Sequence, residues 1–286
     1  MISAIIPTYR NPAYLDLCLR SMVKGKKLPE TEIIVVVDGF AEESEKVLKQ
    51  YTGVSVISLP HNVGMQYALN VGVMNANTSL VFVANDDNVF PAEWDRRLYN
   101  SYNSLKYPSK SHGNWWMELE KQKFVLTANQ IEPEEGSMFG FIHKDFGRYP
   151  SDFQLDNYLQ FESSLRLRSD ALPYTKTGNI FPFLIEKKWY MAVGGFDVFY
   201  SSPQVCDWDF FLKLQLIGLK SVRDNTISLY HFGSRSTKLG SEASKFKQRE
   251  LDAMQTYFYK WGAPPYNEQG SNNKIPRDRK FRGFSV

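Results

Sequence analysis

The chain has 286 residues, enough for one large domain or two closely packed lobes, and 43% of them are apolar, which supports a full core. Lys and Arg number 34 against 31 Asp and Glu, and a net charge of +3 excludes a nucleic-acid binder built on bulk electrostatics. The two cysteines, Cys18 and Cys206, lie far apart and in no metal-ligand spacing, which excludes a disulfide scaffold or a zinc site. There is no signal-peptide pattern, and no apolar run approaches the ~18 residues of a membrane span, so a cytoplasmic protein is expected.

The first hundred residues alternate strand and helix. Ser3 to Pro7 is a short apolar run of the buried, parallel-sheet kind. Asn11-Pro12 reads as a helix start, with Asn as N-cap and Pro at the first helical position. Leu15, Cys18, Leu19 and Met22 form the apolar stripe of that helix. Glu32 to Val37 is a second strand, ended by Asp38-Gly39. A polar-faced helix over Glu42 to Tyr51 and a third strand over Val54 to Leu59 follow. Met65, Ala68, Leu69, Gly72 and Val73 mark another helix. Leu80 to Ala84 is a fourth strand, running into Asn85-Asp86-Asp87-Asn88, and Pro91 opens a helix carrying Trp94 and Leu98. This order implies an α/β fold with a doubly wound, mostly parallel sheet, whose ligands bind at the carboxyl ends of the strands. The residues at those ends are Thr8-Tyr9-Arg10, Asp38-Gly39, His61-Asn62 and Asn85-Asp86-Asp87.

From Tyr107 the pattern loosens. Residues 109 to 122, with His112 and Trp115-Trp116, read as an irregular insertion. Phe124 to Ala128 resumes as a strand, and residues 130 to 178 are loop-rich. Glu186 to Val193 reads as a short helix before Gly194-Gly195-Phe196-Asp197, and Phe210 to Ile217 as a helix following Asp207 and Asp209. Thr226 to Tyr230 is a strand that delivers His231. Phe246, Leu251, Met254, Phe258 and Trp261 make a final amphipathic helix folded back on the domain. The tail beyond carries Lys274, Arg277, Arg279, Lys280 and Arg282. It reads as solvated, with contact to an acidic partner such as nucleic acid as the lesser alternative.

Several groups offer chemistry. The turn after the first strand, Tyr9-Arg10-Asn11-Pro12, has no glycine, so it is not a dinucleotide loop, and there is no Walker A sequence. Asp38 then suggests a mononucleotide held by side chains, with a plain Asp-Gly turn as the even alternative. Asp86-Asp87 places two adjacent carboxylates at a strand end. Hard oxygen ligands of that kind suit Mg2+ or Mn2+, and a polar turn capping the next helix is the alternative. Cys206-Asp207-Trp208-Asp209 reads as a helix start, where a carboxylate is often only a cap or dipole partner. A single histidine such as His231 at a strand end is more often structural than a ligand.

Taken in order, these segments resemble family 2 glycosyltransferases of the GT-A fold. Ser3 to Asn11 is similar to that family's opening strand and nucleotide-binding turn, and Ile34 to Gly39 to its second strand. His61-Asn62-Val63-Gly64 and Ala68-Leu69-Asn70-Val71-Gly72 resemble the segments that follow. Ala84-Asn85-Asp86-Asp87 stands where the family carries its D-x-D metal motif. Thr177-Gly178-Asn179 with Val193 to Asp197 resembles the acceptor-half pattern, and Cys206 to Asp209 stands in place of E-D-x-D. The sequence departs from the family at Ala84, in place of the first Asp, and at Cys206, in place of the Glu. It also lacks the Q-x-x-R-W segment and membrane helices of processive synthases.

The resemblance implies a GT-A type, doubly wound, mixed but mostly parallel sheet flanked by helices over residues 1–235. The nucleotide-binding half would cover about 1–106 and the acceptor half 107–235, with a C-terminal helix and basic tail over 236–286. It implies transfer of a single sugar from a nucleotide-diphosphate sugar to an acceptor hydroxyl with inversion. UDP is the commonest donor nucleotide, and TDP and GDP stay open; the acceptor would be a glycan, a lipid-linked sugar or another hydroxyl. Asp207 would be the general base. Pro7, Thr8, Tyr9, Arg10, Asp38, Asn62, Gly64, Gln66, Asn85 and Asp86 would bind the nucleotide. Asp86, Asp87 and His231 would hold Mn2+ or Mg2+, and Gly194, Gly195, Trp208 and Asp209 would meet the sugar or acceptor. The alternatives are nucleotidyl transfer to a sugar phosphate and a non-catalytic glycan-binding GT-A module.

Overall fold

The computed structural model describes residues 1–107, 123–133, 142–169, 173–176, 181–200, 202–233 and 243–265. His112, Trp115-Trp116, Thr177-Gly178-Asn179 and the basic tail lie outside the described residues. The first half runs β1 (Ile2–Thr8), α1 (Pro12–Gly25), β2 (Glu32–Asp38), α2 (Ala41–Leu48), β3 (Val54–Leu59), α3 (Met65–Asn75), β4 (Leu80–Val83), β5 (Asn88–Val89) and α4 (Trp94–Lys106). The second half adds β6 (Phe124–Glu132), β7 (Ile142–His143), α5 (Leu155–Ser169), β8 (Tyr174–Lys176), β9 (Phe183–Glu186) and α6 (Lys187–Ala192). It ends with α7 (Pro203–Leu216), β10 (Lys220–His231) and α8 (Ala243–Trp261).

All strands join one sheet in the order β3-β2-β1-β4-β9-β6-β10-β5, with β7 beside β6 and β8 beside β10. β3, β2, β1 and β4 are mutually parallel. β9 is antiparallel to both β4 and β6, while β6 and β10 are parallel, so the sheet is mixed. Every residue of β1 is buried, because helices cover both faces of the sheet. Ala4 and Ile6 face a core with Cys18, Leu19, Phe82 and Trp94, while Ile5 faces Leu69, Val73 and Phe210 on the other side. Gly72 lets α3 lie against the sheet: a Cβ there would stand 2.3 Å from Ile5 Cγ2 and 3.0 Å from Val36 Cγ2.

Several boundaries differ from the sequence reading, each for a physical reason. The carbonyl of Asn11 accepts the amide of Leu15, but its side chain makes no cap and turns to Asp86 instead. α4 begins at Trp94, after Glu93 in a left-handed conformation, and not at Pro91. α5 falls where loop was expected, because its buried face carries Glu162 beside Tyr158 and so breaks the apolar stripe. Glu162 is paired there with Arg97 at 2.6 Å.

α7 begins at Pro203, so Asp207 and Asp209 lie inside a helix and not at its start. On α8, Leu251 and Phe258 are 46% and 52% exposed, while Ala253, Tyr257 and Lys260 are buried. The inward face was masked in the sequence because its seat is partly ionic. Among the described residues, no helix is long and apolar enough to cross a membrane.

Candidate active site

β1 and β4 are parallel neighbours, and the chain leaves their carboxyl ends at Thr8 and at Asn85-Asp86-Asp87. Thr8 donates its hydroxyl to Asp86 Oδ2 at 2.7 Å, and Asn11 donates its side-chain amide to Asp86 Oδ1 at 3.2 Å. The turn holds itself, since Asn85 donates its backbone N–H to Asn88 Oδ1 at 3.0 Å. Asp86 and Asp87 are both buried, at 7% and 4% exposed. Burial and then the neighbouring Asp87 push the Asp86 carboxyl up to about 7, against the opposing bonds from Thr8 and Asn11. A group in that state lacks a compensating positive charge.

Asp87 meets a second element through sheet pairing. β5 runs antiparallel to the end of β10, placing His231 opposite Asn88, and Phe232 donates its backbone N–H to the Asp87 carbonyl at 3.2 Å. His231 Nε2 lies 3.5 Å from Asp87 Oδ1, and its Nδ1 lies 2.7 Å from Glu132 Oε1. Glu132 was missed in the sequence because β6 runs four residues beyond Ala128 through the polar Asn129 and Gln130, both buried. The available signal was that an acidic residue follows a strand parallel to the one that delivers His231.

These groups can be tested against a divalent cation. Among the described residues, no set of three or more His, Cys, Asp or Glu side chains is arranged to hold an ion alone. Mg2+ sites, however, usually use one or two carboxylates plus substrate phosphates. Ligands ~2.1 Å from an ion and at right angles to one another are ~3 Å apart, and Asp87 Oδ1 and His231 Nε2 are 3.5 Å apart. The uncompensated acid pair and this near-fitting N and O pair suit a partial site that a diphosphate would complete. Asp86 points away from His231, toward Thr8 and Asn11, so the corner belongs first to Asp87 and His231.

The rest of the expected nucleotide set divides in two. Tyr9, Arg10, Asn62 and Gly64 reach the surface at the sheet end. Arg10 and Phe40 both adopt left-handed backbone conformations, at φ 50° and 53°. The Arg10 guanidinium stands 4.6 Å over the Phe40 ring and pairs with Glu43 at 3.0 Å. Asp38 accepts the backbone N–H groups of Val63 and Gly64 at 2.7 and 2.9 Å, and burial raises its pKa. It therefore fastens the loop 61–64 onto β2. Gly39 permits this approach, since a Cβ would lie 2.6 Å from Asn62 N.

Other expected contacts are corrected by burial. Pro7 is enclosed within β1 opposite Val36, so it shapes backbone and offers no surface to a ligand. Gln66 is buried and donates its amide to the carbonyls of Tyr200 and Ser202 at 3.0 and 3.1 Å. One turn along α3, Asn70 receives Tyr190 Oη and the Phe196 amide on Oδ1 and donates to the Phe196 carbonyl. This part of α3 thus stitches the two halves together, and Gln66 is not free to meet a nucleotide.

The helix that carries Asp207 follows from that stitch. Asp207 is half-buried: part of the residue reaches solvent, yet enough protein surrounds the carboxyl that desolvation raises its pKa to about 7. Its own backbone amide and that of Trp208 oppose the rise, the latter at 2.8 Å. The depressed pKa expected at a helix start does not apply, because Asp207 lies beyond the first turn, where the dipole effect has faded.

Asp209 is also corrected. It is 0% exposed, receives Tyr200 Oη at 3.1 Å and Trp261 Nε1 at 2.8 Å, and pairs with Lys260 at 2.7 Å and Lys213 at 3.5 Å. It therefore meets no sugar; it seats α8. Gly195 is buried against Asn70, where a Cβ would lie 2.3 Å from Oδ1, whereas Gly194 is exposed with open space around its missing Cβ. Trp208 is half-buried.

A parallel β1–β4 end bearing an acid pair, an antiparallel strand inserted beside it and a second acid on a following helix define the class of fold, which is of the GT-A type. Residues 3–108 match the family model described as Glycosyl transferase family 2. A crystal structure of S. aureus TarS 1-349 aligns at a TM-score of 0.53 and 15% identity, covering 91% of this chain and 74% of that one. A second S. aureus TarS structure aligns at 0.51 and 14% identity, covering 90% of this chain and 43% of that one, so the chain spans under half of it. At these identities the likeness is one of fold. No curated protein sequence matches the chain.

Proposed function

We propose that the protein moves one sugar from a nucleotide-diphosphate sugar, with UDP as the nucleotide, to an acceptor hydroxyl with inversion at the anomeric carbon. The observation that carries this reading is the placement of Asp207: a half-buried carboxyl inside a helix, where desolvation pushes its pKa up to about 7. A general base works best when its pKa lies near the operating pH. Asp207 would take the acceptor proton as the hydroxyl oxygen attacks the anomeric carbon and the diphosphate departs.

The half-buried Tyr9 and the exposed Arg10 and Asn62 would hold the nucleotide, with Asp38 and Thr8 fixing the loops around it. Asp87 and His231, with Asp86 beside them, would hold Mn2+ or Mg2+. When bound, such an ion neutralises charge on the departing diphosphate. The α3 stitch through Gln66 and Asn70 keeps the donor side and the Asp207 helix in fixed relation.

The test is incubation with a panel of UDP-, TDP- and GDP-sugars and Mn2+, following nucleoside diphosphate release by slow hydrolysis. Release from one UDP-sugar, lost in Asp207→Asn while donor binding persists, is the expected result. Glycan binding without release from any donor would overturn the reading in favour of a non-catalytic module.

A further inference from the structure

We propose that Glu132 is a positioning residue for the cation corner: it fixes the ring of His231 so that Nε2 faces Asp87. The inference rests on the reading that Asp87 and His231 hold a divalent ion. A histidine presents one ring nitrogen to a metal, and which one is set by the bond the other makes. Metal-bound histidines almost always donate that other N–H to a carboxylate, a carbonyl or water.

His231 satisfies this description on both sides. Nδ1–H donates to Glu132 Oε1 at 2.7 Å, which leaves Nε2 directed at Asp87 Oδ1 at 3.5 Å. Both partners are mostly enclosed, with side-chain exposures of 12% for His231 and 16% for Glu132. The backbone reinforces the arrangement, because two of the residues end strands and the third immediately precedes one, all in one sheet region. β6 ends at Glu132, β10 at His231, and β5 begins one residue after Asp87. β6 and β10 are in parallel register at Ile131 and Tyr230, so the residues that follow them emerge side by side. Antiparallel pairing of His231 with Asn88 supplies the third member. Sheet register, and not loop chance, brings Glu132, His231 and Asp87 into one line.

The test compares Glu132→Gln, which keeps an oxygen acceptor, with Glu132→Met, which keeps the reach and removes the acceptor. Mn2+ affinity is measured by calorimetry on the full chain in the presence of UDP, alongside His231→Ala and the double variant Glu132→Met/His231→Ala. Glu132→Met is expected to weaken Mn2+ binding ~10–100-fold, the usual effect of removing such a partner. Glu132→Gln should retain most of the affinity, and the double variant should bind no worse than His231→Ala alone. Magnetic resonance of the Mg2+ and UDP complex adds a readout that a purely structural role would not move: the proton should sit on His231 Nδ1 in the wild type.

Two outcomes separate the layers of the argument. If His231→Ala loses Mn2+ while Glu132→Met binds it as tightly as wild type, this inference falls and the cation corner stands. If wild-type UDP binding is indifferent to Mn2+, the cation reading itself falls and takes the inference with it.

Discussion

Asp207 and Asp209 occupy the same helix, two residues apart, and have opposite surroundings. Asp209 is fully enclosed yet has Lys260, Tyr200 and Trp261 on Oδ1 and Lys213 at 3.5 Å from Oδ2, so two cations face its charge, although Oδ2 accepts no hydrogen bond. Asp207 has its own backbone amide and that of Trp208 as opposing donors, and desolvation carries its pKa to about 7. Asp86, at the sheet end, is in the second condition too, with Thr8 and Asn11 as neutral donors and Asp87 adding like charge. A buried acid left short of countercharge reduces stability and is kept where chemistry needs it, whereas a fully countered acid is holding two elements together.

The largest effect expected from this contrast is on rate. Asp207→Asn keeps the shape and removes the basicity, so single-turnover transfer should fall ~10²–10⁴-fold with donor affinity nearly unchanged. Wild-type transfer at equal rate in this variant would place the base elsewhere. Asp209→Ala should do the reverse. It removes the Asp209 pair from Lys213 and leaves Lys260 with Asp197, and breaking a buried pair from one side costs ~3–5 kcal/mol, read in a urea melt. Asp209→Ala as stable as wild type would dissolve the distinction between the two acids.

Stability against pH sharpens it further. A folded pKa raised from 3.8 to about 7 means stability that is fully present below pH 3.8 and lost as pH rises through 7. Asp86→Asn should therefore stabilise the protein at pH 8 by ~1–3 kcal/mol, less than a full shift would imply because solvent relieves part of it, and should have little effect near pH 4. Transfer should rise with pH through about 7 as Asp207 loses its proton; a flat profile between pH 6 and 8 would contradict the assignment. The smallest effect is at Thr8. Thr8→Val removes one bond to Asp86 and should cost ~1 kcal/mol of nucleoside diphosphate affinity or stability.

The first half was legible because its signals are local. Apolar runs such as Ile2 to Pro7 and Ile33 to Val37 mark buried parallel strands, and the polar residues that follow them locate the sheet end. The second half was not, because its signals are distant pairings. Glu162 on α5 is buried against Arg97, Lys260 on α8 against Asp197 and Asp209, and Glu132 against His231. Each looks like a solvated charge until its partner is known. The start of α7 has a local signal: Ser202-Pro203 has the form of a cap and first residue, ahead of the acids at Asp207 and Asp209. Asp86, Asp87 and His231 were picked out together, and the structure places Asp87 and His231 face to face while Asp86 turns to Thr8.

Lys260 also sets a lower limit on the autonomous folding unit. It closes on Asp209 at 2.7 Å and Asp197 at 2.6 Å, and Tyr257 fills the core one turn earlier. A chain truncated before Ala243 would lose this plug, leaving Asp209 with Lys213 at 3.5 Å as its remaining cation among the described residues and baring the apolar seat on α7. Expression boundaries drawn from the matched segment 3–108, or from the last strand at His231, should therefore yield aggregating or proteolysed material, while those that reach past Trp261 should not.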